Sequence, residues 1–73
     1  MELSDDEVIK NIGHKLREIR KQKKMTQFEL AKAAGIYRDH LGRIERAETN
    51  VSIVILYHLA YCLKIKIEDL FDD

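Results

Sequence analysis

The sequence predicts an all-α fold, a compact five-helix bundle built around a helix-turn-helix, and three observations carry that expectation. The 73 residues contain no proline and only three glycines, which leaves little material for the turns of a sheet. Apolar residues recur at three- and four-residue spacing along most of the chain. Two capping boxes, Ser4 with Glu7 and Thr26 with Glu29, mark helix starts. A chain of this length has room for one domain, residues 1–73, and one modest core.

After Ser4, the positions Val8, Ile9, Ile12, Leu16 and Ile19 trace a first helix as far as the basic run from Arg20 to Lys24, whose charges suit a helix C-terminus. Thr26 opens the second helix, with Met25 placed to staple onto Leu30, and Gly35 ends it as the residue type that takes left-handed backbone. Ile36 then enters the core. A third helix runs from about Arg38 to Arg46 with Leu41 and Ile44 apolar, and Ala47 to Asn50 is polar loop. Asn50 or Ser52 caps a fourth helix that continues to about Leu63, and Ile67 to Phe71 makes a short final turn or helix.

The formal net charge is zero, which by itself argues weakly against a nucleic-acid partner. The charge is segregated, however. Residues 1–9 carry four acids and no base, residues 10–46 carry eleven Lys/Arg against four acids, and residues 47–73 carry two against five. A basic middle between acidic ends can present one positive face to phosphate. The lone Cys62 forms no intramolecular disulfide, and the opening MELSDDEV is acidic where a signal peptide is basic and then apolar. The expectation is a cytoplasmic protein in a reducing compartment. No apolar run approaches the roughly 20 residues that span a bilayer, so no membrane partner is expected.

Two short helices joined by a glycine-containing turn form the unit that places its second helix in a DNA major groove while the first lies across the backbone. Residues 26 to 47, TQFELAKAAGIYRDHLGRIERA, fit it. Ala31 and Ala34 permit close helix approach, Ile36, Leu41 and Ile44 anchor the second helix, and Arg38, Asp39, Gly42 and Arg43 remain outward. Asp39 stands four residues before Arg43, so it can pair with it or accept from cytosine N4. Gly42 weakens a helix by about 1 kcal/mol relative to alanine, and close approach to DNA supplies a reason for it.

The stretches IGHKLREIRKQKKMTQFELAKAAGI, LGRIER and SIVILYHLAYCLKIKIEDLF resemble the phage-repressor/Cro-like helix-turn-helix family over nearly the whole chain. ERAETNVSI, with Asn where many members have Asn-Pro, is similar to the controller proteins of restriction-modification operons. The resemblance implies base reading by Arg38 and Arg43, for which Arg is suited through bidentate pairing with guanine. It also implies phosphate or flanking contacts by Thr26, Gln27, His40, Thr49 and Asn50, and a structural ion pair between Arg20 and Glu45. Three positions depart from the family pattern: Tyr37 replaces the Ser or Thr cap of the recognition helix, while Ala47 and Lys64 replace glycines.

The fourth helix, IVILYHLAYCL, is apolar almost all round and must be buried on two sides. Ile53, Leu56, Leu59, Ala60 and Leu63 fit the domain core. Val54, Tyr57, His58 and Tyr61 form a second stripe, expected to be a homodimer interface together with Ile65, Ile67 and Phe71. A two-fold dimer would read a pseudo-palindromic operator as a repressor or activator, with RNA polymerase a further candidate partner.

Two readings of other classes compete. His58 with Cys62, and His14 with Glu18, have the i, i+4 spacing of paired metal ligands, but zinc needs three or four, so neither an enzyme nor a cofactor is expected. An antitoxin-like module would instead use the apolar stripe to cover a different protein, with DNA binding secondary.

Overall fold

The computed structural model describes residues 4–71. The calls that fall on Met1 to Leu3, Asp72 and Asp73, namely the acidic extremities and the full 1–73 span of the domain, lie outside the described residues. Four α-helices follow one another: α1 (Asp5–Gln22), α2 (Gln27–Ala34), α3 (Arg38–Glu45) and α4 (Ile53–Leu63). A single 3-10 turn, Ile67–Leu70, closes the described chain. The bundle therefore has four α-helices, and the expected fifth is one turn too short to make α-type bonds. Its N–H groups reach back three residues instead, Asp69 to Lys66 and Phe71 to Glu68.

Both capping boxes form as reciprocal hydrogen bonds. In the tighter one the Thr26 hydroxyl accepts from the Glu29 N–H at 3.0 Å while the Glu29 carboxylate accepts from the Thr26 N–H at 2.8 Å. Ser52, rather than Asn50, caps α4 by accepting from the Ile55 N–H. Tyr37 stands at the N-cap of α3 with no side-chain hydrogen bond.

The four helices end alike. A left-handed residue follows each: Lys24 after α1, Gly35 after α2, Ala47 after α3 and Lys64 after α4. The next residue donates its N–H back to a carbonyl five positions earlier, Met25 to Arg20, Ile36 to Ala31, Glu48 to Arg43 and Ile65 to Ala60. Only Gly35 takes this backbone freely; each of the other three carries about 1–2 kcal/mol of strain.

The core gathers Leu16 of α1, Leu30 and Ala31 of α2, Leu41 and Ile44 of α3, Leu56, Leu59, Ala60 and Leu63 of α4, and Leu70 of the final turn. Ile53 does not join it. At the first position of α4 it is 62% exposed, while Val51 before it and Ile55 after it pack against the core instead. α2 packs on α3 and α4, while α1 crosses α3 and reaches the final turn.

The α1–α3 crossing depends on Gly13, buried in mid-helix. A Cβ there would collide with the Ile44 carbonyl oxygen and sit 2.9 Å from that of Glu45, both backbone atoms. Gly13→Ala must push the helices apart, so it should lower stability by about 1–3 kcal/mol despite alanine's better helix propensity. Urea unfolding at fixed protein concentration should show a lower midpoint; an unchanged or raised midpoint would refute the close approach.

Candidate nucleic-acid interface

The helix-turn-helix is held by one buried carboxylate. Glu45, at the last position of α3, accepts from Arg20 of α1 through Nε at 2.7 Å and Nη2 at 3.1 Å. The two side chains are 8% and 1% exposed. The remaining Arg20 nitrogen, Nη1, donates to the Met25 carbonyl at 2.8 Å in the loop before α2. Gln27, the first residue of α2, donates Nε2 to Glu45 Oε1 at 3.0 Å. Every partner of this network is satisfied, and among the described residues no buried side-chain polar atom is left without a hydrogen bond.

This clamp sets the angle at which α3 presents its outer face. Leu41 and Ile44 point inward, and Arg38, Asp39 and Arg43 are exposed. Asp39 pairs with its neighbour Arg38 at 3.5 Å rather than with Arg43, as the i, i+4 spacing had suggested. The pair is solvated, and such a contact is too weak to dictate rotamers over local freedom. His40 is half-buried, and Thr49 joins it with Arg38 and Arg43 along an open groove between α2 and α3. Thr49 donates its hydroxyl to the Asn50 carbonyl, and Asn50 is exposed. Thr26 is exposed, its hydroxyl oxygen accepting in the cap of α2 and its O–H left to donate. Tyr37 is the most exposed of the large apolar side chains, at 86%, beside Phe28, whose ring carries the Lys32 ammonium at 5.9 Å.

Gly42 is not outward. It is buried between the side chains of Gln27 and Arg46; a Cβ there would come within 3.0 Å of Arg46 Nη1 and 3.7 Å of the Gln27 amide. The missing side chain makes room inside the protein, so DNA proximity is not needed to explain it. Arg46 shares a shallow pocket with Arg17, Gln27 and Glu45 and forks onto Glu48. The hydrogen bond to Glu48, and then its charge, hold the Arg46 guanidinium above its ordinary value, and the same bond draws the Glu48 carboxyl down. That contact is therefore present above the usual carboxylate range and is lost as pH falls through the lowered value. Nothing in the sequence pattern marks Arg17 or Arg46, because a basic residue on an exposed helix face reads as solvated charge. Gly42, four positions before Arg46, is the signal that could have found it.

Val54, Tyr57, His58 and Tyr61 lie exposed along α4, Tyr61 at 76%. Phe71 is exposed, and Ile65 and Ile67 are half-buried against the core, lining a groove with Tyr57 and Tyr61. His14 lies 3.4 Å from Glu18 on α1. Among the described residues no group of three or more His, Cys, Asp or Glu is arranged to hold a metal, and no helix is long and apolar enough to cross a membrane.

A domain of this geometry, two short helices at a glycine turn with two exposed arginines on the second, defines a DNA-binding class, and comparison with known proteins agrees. Residues 15–73 match the model of the Cro/C1-type helix-turn-helix DNA-binding domain, and the chain belongs to that family. An uncharacterized HTH-type transcriptional regulator of Archaeoglobus fulgidus is 39% identical over 57 residues, 78% of this chain and 81% of the relative. The restriction-modification controller protein C.AhdI of Aeromonas hydrophila superposes with a TM-score of 0.85 at 38% identity, over 86% of this chain and 96% of that one. The biofilm master regulator SinR, solved in complex with DNA, gives 0.79 at 35% identity, over 84% of this chain and 98% of that one. These relatives are transcriptional regulators rather than enzymes.

Removing one side of the buried clamp strands the other. Glu45→Ala should cost about 3–5 kcal/mol by leaving Arg20 uncompensated, whereas the double change Arg20→Met, Glu45→Leu should recover most of it. Thermal or urea unfolding of the three proteins checks this, and a Glu45→Ala loss below about 1 kcal/mol would show the pair to be solvated instead.

Proposed function

We propose that this chain is a sequence-specific regulator of transcription that binds a pseudo-palindromic double-stranded DNA site as a homodimer. The observation that carries the reading is the pair of exposed arginines, Arg38 and Arg43, on the outer face of a recognition helix held by the buried clamp. Arg38 and Arg43 read base edges, Asp39 accepts from cytosine, and Thr26, Gln27, His40, Thr49 and Asn50 contact phosphates or flanking bases. Gln27 spends one amide N–H on Glu45, which leaves the second N–H and the carbonyl for such a contact. The likeness to C.AhdI supports the narrower reading of a restriction-modification controller.

Selection of bound duplexes from a random pool tests the site. Arg38→Ala and Arg43→Ala should each relax preference at a guanine position and cost ~1–3 kcal/mol there. Uniform weakening across all sequences would reassign both arginines to phosphate.

The dimer rests on the exposed stripe of α4. Two copies joined there about a two-fold axis bury Val54, Tyr57, His58 and Tyr61, extended by Ile65, Ile67 and Phe71, and set two recognition helices about 34 Å apart. Sedimentation should show a dimer at micromolar concentration, and Tyr61→Asp should give a monomer with an unchanged helical spectrum. A wild-type monomer both with and without DNA would overturn the dimer.

A further inference from the structure

Glu48 departs from a pattern that the other helix ends share. After α1, α2 and α4, the residue that follows the left-handed position is apolar and rests on the core, as Met25, Ile36 and Ile65 do. After α3 that place belongs to Glu48. Its backbone is fixed by the 2.8 Å bond from its N–H to the Arg43 carbonyl. With no core contact to make, its carboxylate turns to Arg46, taking Nε at 2.9 Å and Nη2 at 3.2 Å.

Arg46 is otherwise well placed for an anion. Gly42 gives its guanidinium space, and Gln27, the first residue of α2, stands on the other side of that glycine. Arg17 adds a second positive charge to the same shallow pocket. A carboxylate and a phosphodiester offer arginine the same thing, two oxygens in one plane for a bidentate fork.

On the DNA-binding reading above, we propose that Glu48 is an internal competitor for DNA phosphate, its carboxylate occupying the two Arg46 donors that a phosphate would take. Arg46 then engages the backbone only when Glu48 is released. Glu48 thereby restrains affinity that carries no sequence information and leaves base reading untouched.

The test uses the whole chain and a short labelled duplex of random sequence, with affinity followed by fluorescence anisotropy between about 50 and 200 mM salt. Glu48→Gln should tighten binding by roughly 2- to 5-fold, the effect of freeing an exposed ion pair. The slope of log affinity against log salt should steepen by about 0.9, the signature of one additional phosphate contact. In an Arg46→Ala background both changes should vanish. An inert Glu48→Gln would overturn this inference alone, and so would an equal gain with Arg46 absent, which marks a general charge effect. Failure of the wild-type chain to bind any duplex at low salt would overturn the DNA-binding reading and this inference with it. Both side chains are exposed, and thermal melts of each variant verify that the fold persists.

Discussion

The carboxylate of Glu45 is the point on which the architecture turns. It receives Arg20 from α1 and Gln27 from α2 while belonging to α3, and Arg20 passes the link on to the Met25 carbonyl. A pair of apolar side chains of equal volume could give comparable stability. Apolar contacts would not specify direction, however, and a misplaced recognition helix loses its register on a base edge within an ångström or two. Hydrogen bonds at 2.7 to 3.1 Å from three donors leave little angular freedom. We read the buried pair as a device for geometry more than for stability.

Small residues complete that geometry at two places. Gly13 lets the backbone of α1 come against the last carbonyls of α3, which brings Arg20 into reach of Glu45. Gly42 clears space for Gln27 and Arg46 to lie over α3. Each sacrifices some helix propensity, and three non-glycine residues accept left-handed backbone besides. A core of this size tolerates these costs because every helix is capped or closed by satisfied backbone groups.

What the sequence revealed follows the range of the interactions involved. Capping boxes, the Gly35 turn and the apolar periodicity are local, and the helix boundaries they mark agree with the structure to within a residue or two. Contacts between distant segments were harder to see. Gly42 looks outward on a helical wheel, yet the start of α2 folds over it; Gly13 carries no mark of the α3 carbonyls that face it. Ile53 has the spacing of a core residue, but Val51 and Ile55 on either side of it take the core contact. The Asp39 pairing and the Arg46–Glu48 fork involve solvated side chains whose partners periodicity does not rank.

A formal net charge of zero is unusual company for a DNA-binding domain, and α3 itself is balanced, Arg38 and Arg43 against Asp39 and Glu45. Long-range attraction to a polyanion depends on local field more than on total charge, since salt screens charges separated by more than about 10 Å. Acidic residues stand at the start of α1 and in the final turn, away from the α3 sequence. Asp39 and Glu48 differ, because they stand within the basic surface and each engages an arginine there. On the proposal above, the acid that holds Arg46 competes with phosphate, which every sequence offers alike.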